Sequence, residues 1–172
     1  MSHVPTLQQS VTALLVRDLD GFRRTLAAFP SDAAVWTVVP ALPNGAGTLA
    51  LHVAGNLRHF IGATLGGTGY VRDRAREFAA RDVPRAELVA TLDAAAAEVR
   101  ATLAALPDAR LAEFYPLPLG EHRYVTGDFL QHLATHAAYH LGQADAHRRV
   151  VTGDPAAAGL GAVAVIASAV PA

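Results

Sequence analysis

Hydrophobic positions recur at helical spacing over most of this chain. From Thr6 to about Ala28, Val11, Leu14, Leu15, Leu19, Phe22 and Leu26 return every three or four residues, the pattern of an amphipathic helix that Pro30 ends. A second helix runs from Thr48, a fair N-cap, through TLALHVAGNLRHFIGATL to Gly66-Gly67. Its interior Gly55 and Gly62 imply the close approach of another backbone, since glycine weakens a helix by about 1 kcal/mol relative to alanine. A third helix from Pro84 to Leu106 shows Leu88, Leu92, Val99 and Leu103 as its inner face, and Pro107 closes it. The fourth begins at Thr126 or Asp128 and reaches about Val151.

Between these helices the pattern breaks. Residues 31–48 carry prolines and Asn44-Gly45 and read as a loop with an extended piece around Val35 to Val39, Trp36 plugging the core. GYVRDRAREFAARDVP is a mixed-charge run, read first as solvated surface and second as an Arg fork beside an anionic ligand. Residues 107–125 are long enough for a short hairpin with LAEFYPLPL and HRYV as its arms. Past Pro155 an Ala/Gly-rich end forms at most a weak fifth helix. We therefore expect an all-α four-helix bundle over residues 1–155, with 156–172 packed on it or disordered.

The fourth helix carries the chemistry. His132, His136, His140, Gln143 and His147 follow one another at steps of four, four, three and four residues, so they share one stripe. Two histidines at i, i+4 can reach one metal ion, and the pair is His132/His136 or His136/His140. A third ligand must come from another element; His52 on the second helix is the best candidate, with Asn56 and His59 on the same face. Three neutral imidazoles leave open positions for water or substrate on zinc, nickel, iron or copper. The competing reading is that the histidines brace the core. The helix lacks the H-E-x-x-H of metalloproteases and the Glu-x-x-His of ferritin-like di-iron sites.

Composition then removes alternatives. There is no cysteine, which excludes disulfides, thiolate-bound zinc and a Cys nucleophile, so thiol chemistry needs an outside thiol. A formal net charge of -1 gives no electrostatic case for a nucleic-acid partner or an anionic membrane. The N-terminus has no basic and apolar signal pattern, and the C-terminal run is short of the roughly 20 strongly apolar residues of a spanning helix, so a cytoplasmic protein is expected.

LHVAGNLRHFIG, GYVRDRAREF and THAAYHLGQ together resemble the DinB-like (DinB/YfiT) superfamily of metal-dependent enzymes, and GNLRHFIG with RDRAREF looks like its DUF1572 branch. The resemblance covers most of residues 5–150, and H-x-x-x-H-x-G-Q is its most specific part. It implies a four-helix bundle with one long crossover, a homodimer, and a metal held by His52, His136 and His140. His132 then becomes pocket wall, and Gln143 supports a ligand. Zinc or nickel is expected ahead of iron or manganese. Some relatives are thiol transferases that use bacillithiol or mycothiol. The implied function is activation of a small-molecule thiol for S-transfer or of water for hydrolysis, the electrophilic substrate sitting among Asn56, His59, Arg72, Arg74, His132 and Tyr139. The alternative is a non-catalytic, stress-linked metal-binding or dimer-forming bundle.

Overall fold

The computed structural model describes residues 4–159, 161 and 163–168. Helix α1 (Leu7–Ala27) opens on a reciprocal cap: Gln9 N–H donates to Thr6 Oγ1 at 3.3 Å, and Thr6 N–H donates to Gln9 Oε1 at 2.9 Å. Helix α2 starts at Ala46–Leu57, continues through a π-helical turn at Arg58–Ala63, and finishes with Thr64–Gly66. Gly67 ends it at φ 66°, a conformation glycine adopts without a Cβ penalty. A short helix α3 (Arg74–Ala79) precedes α4 (Arg85–Ala105), and α5 (Thr126–Thr152) carries the histidine row to Gly153.

Helices α1 and α2 each pack against both α4 and α5 and touch one another little, so α1 faces α2 across a diagonal of the bundle. The predicted stripes of α1 and α4 lie in the core, except that Leu14 is only half-buried. Val11, Leu15, Leu19, Phe22 and Leu26 of α1 meet Val53, Leu57 and Ile61 of α2, Leu88, Leu92, Val99 and Leu103 of α4, and Leu130, Leu133, Ala137 and Leu141 of α5. This is an all-α bundle, and no described residue belongs to a regular strand. None of the described helices is long and apolar enough to cross a membrane.

Several local expectations are corrected. Thr48 does not cap α2; the helix starts at Ala46, whose N–H donates to Nδ1 of His147 at 3.2 Å. Val35 and Trp36 lie in a 3-10 turn (Ala33–Trp36) rather than an extended piece, although Trp36 does plug the core, its Nε1 donating to Val83 O at 3.1 Å. No backbone enters at Gly55 and Gly62. A Cβ at Gly55 would stand 2.2 Å from Glu77 Oε1 and one at Gly62 2.2 Å from Glu98 Oε2, so carboxylates fill those spaces.

The mixed-charge run is not simply solvated, because it folds into α3, capped by Asp73 Oδ1 on Arg76 N–H at 2.9 Å, and buries Glu77. Before α5 the chain makes a hairpin-like excursion held by isolated bridges, Phe114 with Val125 and Leu119 with His122. Beyond Pro155 the only helical residues among those described form one 3-10 turn, Val163–Val165; the rest of the expected fifth helix, Leu160, Ala162 and residues 169–172, lies outside the described residues. Asp145 Oδ1 accepts from Ala158 N–H at 3.2 Å and Arg148 donates to Asp154 O at 3.3 Å, which ties this segment to α5.

Candidate metal centre

The histidine row of α5 lies beside that helix's apolar stripe and therefore at the edge of the core. What covers each histidine differs along the helix. At its C-terminal end, the chain between α1 and α2 closes over His147, which is fully buried with Phe29 against its ring at 5.6 Å. His147 Nε2 donates to Thr37 O at 2.8 Å and Nδ1 accepts from Ala46, so both nitrogens are committed to main chain. At the other end His132 is exposed, its ring stacked on Phe129 at 5.9 Å.

Between these ends His136 and His140 are half-buried and face His52, which α2 brings up nearly buried at 6% exposure. His140 Nε2 lies 3.1 Å from His136 Nε2, and His52 Nε2 lies 3.4 Å from it. The ligand-capable nitrogens of all three stand within 4.8 Å of one another. The rings meet edge-on, with interplanar angles of 74° and 89° between His52 and the two α5 histidines and 89° between those two. Nitrogens bound at about 2.0–2.1 Å to one tetrahedral centre would stand about 3.4 Å apart, and about 2.9 Å apart at right angles. The two spacings to His136 Nε2, 3.1 and 3.4 Å, match that range.

Electrostatics point the same way. Burial, followed by the charges of His140, His52, His132 and Arg72, lowers the His136 pKa to about 4. Burial also lowers that of His140, against the upward pull of its bond to Gln143. Both rings are therefore neutral at pH 7, the state a metal ligand requires. Gln143 Oε1 accepts from His140 Nδ1 at 2.7 Å, so the His140 proton sits on Nδ1 and its Nε2 lone pair points into the cluster. His136 Nδ1 is buried with no hydrogen-bond partner among the described residues. With the His140 proton on Nδ1, its Nε2 lone pair and the Nε2 atoms of His52 and His136 converge on one point, an arrangement a cation can satisfy. The three-histidine group can hold a divalent metal ion.

The other predicted residues fall around this cluster to different degrees. Asn56, one turn from His52 on α2, is buried, and its Oδ1 has no partner among the described residues. His59 is half-buried against Phe60, and burial followed by the Arg72 charge lowers its pKa. Arg72 reaches His52 but is already forked on Glu77, Nε to Oε1 and Nη2 to Oε2, both at 2.7 Å. Arg74 is exposed above the Phe78 ring, and Tyr139 is exposed with its hydroxyl accepting from Gln143 Nε2 at 3.1 Å.

Sequence reasoning missed Glu77 and Phe78. Glu77 Oε2 lies 3.1 Å from His52 Nδ1, and the Phe78 ring packs 4.9 Å from that of His52. The signal was present but weak: a glutamate one helical turn past Asp73, inside a run of arginines, looks like surface charge. Two clefts lie away from the cluster. One of about 580 Å³ between α2 and α4 is lined by Leu65, Thr102 and Arg110, and one of about 560 Å³ between α1 and α5 by Asp18 and Asp145.

A family model described as the DinB superfamily matches residues 14–144, about three-quarters of the chain, and does not distinguish a branch within it. No curated protein and no solved structure gives a match.

Proposed function

The chain belongs to the DinB superfamily, and from that premise we propose that it is a metal-dependent enzyme in which His52, His136 and His140 hold one divalent ion, zinc or nickel, to activate a low-molecular-weight thiol for S-transfer or a water for hydrolysis. The observation that carries this reading is the convergence of three imidazole Nε2 atoms at 3.1 and 3.4 Å, two from one helix and one from another. Such an ion, when bound, supplies Lewis acidity, lowering the pKa of a thiol (about 8.5 when free) or of water in an open coordination position.

The chain's own residues define what can approach. His136 and His140 present neutral nitrogens at pH 7, so proton competition for them is weak near neutrality. Arg72 has spent its fork on Glu77, which argues against it as the anion partner of a substrate. His132, exposed with its ring 5.9 Å from that of His136, stands where a substrate would enter. Without a cysteine, the chain leaves both nucleophile and electrophile to come from solution.

The deciding experiment is elemental analysis of the purified, untagged protein beside a His52→Ala variant. About one divalent ion per chain, lost in the variant, supports the reading and justifies screening thiols against electrophiles. No metal in either, even after reconstitution, means that the histidines only brace the bundle. Metal without turnover of any thiol or hydrolysable substrate would favour the non-catalytic metal-binding alternative.

A further inference from the structure

We infer that Glu77 is the positioning residue of the three-histidine site: admitted by Gly55 and held by Arg72, it accepts a hydrogen bond from Nδ1–H of His52 and so leaves the Nε2 lone pair of His52 aimed at the metal position. This rests on the metal reading above for its purpose, though not for its geometry.

Three observations carry it. Glu77 is 6% exposed, and a carboxylate is not buried unless it is paired. Its pairing is bidentate: Arg72 Nε and Nη2 reach the two oxygens at 2.7 Å each. Arg72 Nη2 also comes within 3.2 Å of His52 Nδ1, but the guanidinium's shorter bonds are to the carboxylate, and an ionised carboxylate has only lone pairs to offer. Of the groups around Glu77 Oε2, His52 Nδ1 at 3.1 Å is the remaining one able to place a hydrogen on it.

The second observation is the space made for this contact. Gly55 sits inside α2, where glycine weakens the helix, and a Cβ there would stand 2.2 Å from Glu77 Oε1 and 2.9 Å from its Cδ. Glycine is the residue that lets the carboxylate reach past α2 to the ring of His52. Third, α3 itself is a six-residue helix whose cap, Asp73, and whose one buried side chain, Glu77, both serve to deliver this group. An imidazole whose far N–H donates a hydrogen bond to a carboxylate is the usual support of a metal-bound histidine.

The test uses the full chain in metal-free form at pH 8. Long-range ¹H–¹⁵N correlation reports which ring nitrogen of His52 carries the proton, with His52→Gln assigning the signal, and chelator competition reports zinc affinity. Wild type should carry the proton on Nδ1. Glu77→Ala and Gly55→Ala should both shift it towards Nε2 and weaken zinc binding about 10- to 100-fold, while Arg76→Ala, on the exposed side of α3, changes neither. Should Glu77→Ala fail to fold, Gly55→Ala retains the carboxylate and improves the helix, so it carries the test alone.

A wild-type His52 protonated on Nε2, or an unmoved tautomer in folded Glu77→Ala or Gly55→Ala, overturns the inference, as does unchanged zinc affinity in those two variants of a zinc-binding wild type. A wild type that takes up no zinc defeats the metal reading, and the tautomer still decides this one.

Discussion

His136 and His147 sit on one stripe of α5, yet the first points a nitrogen at two other histidines while the second is locked between Thr37 O and Ala46 N–H. Their substitutions should therefore separate cleanly. Compared metal-free, His136→Ala should cost little stability, while with zinc or nickel present it should lose both the bound metal and the stabilisation that the metal supplies. His147→Ala should keep metal content but cost about 2–4 kcal/mol, because it opens a cavity and strands two buried main-chain groups. Elemental analysis and urea denaturation of both variants check this; metal loss in the His147 variant, while it remains folded, would contradict the separation.

Stability of the metal-free protein should depend on acid in a defined window. The folded His136 pKa is lowered to about 4, against about 6.5 for an unfolded histidine, so between those values the unfolded chain binds more protons. Its contribution is therefore fully present above about pH 6.5 and lost as pH falls towards 4, with His140 acting in the same direction. The loss should be on the order of 2 kcal/mol, allowing for partial exposure. Urea midpoints at pH 7.5 and 4.5 measure it, and His136→Gln should flatten the difference. An equal acid drop in that variant would assign the effect to other groups.

Zinc should raise the melting temperature by mass action, since the three ligands come together only in the folded chain. At 100 times the dissociation constant the gain is about 2.7 kcal/mol, or roughly 5–11 °C for a domain of this size. Differential scanning fluorimetry with zinc or nickel, then with excess chelator, reads it. No shift with either metal would count against a ligand set assembled by folding.

Tyr115→Phe should cost about 1–2 kcal/mol although it removes one oxygen. The Tyr115 side chain is fully buried, and its hydroxyl donates to Phe60 O at 2.6 Å inside the π-helical turn of α2. The hairpin before α5 thus fastens the π-helical turn of α2 through this one buried side-chain bond. Chemical denaturation checks the cost; a neutral substitution would mean that the turn does not need this bond.

The periodicity of Val11, Leu15, Leu19, Phe22 and Leu26, and its counterparts in the other long helices, was legible because helix formation and burial of one face are local properties repeated every turn. That two histidines of this helix one turn apart share a face was legible for the same reason, although spacing left His132/His136 and His136/His140 both open. His52 was already the best third candidate from its place on the second helix, but choosing His136/His140 over His132/His136 required the resemblance of LHVAGNLRHFIG and THAAYHLGQ to a known superfamily. Local patterning along the chain was enough for the long helices, the inner faces of α1 and α4 and a row of histidines. Tertiary structure alone decided that Glu77 turns inward beneath Gly55, that His147 caps α2 rather than joining the site, and that Arg72 is spent on a carboxylate. Those outcomes depend on which side chains meet across the bundle, and contacts between distant positions leave no period along the chain to read.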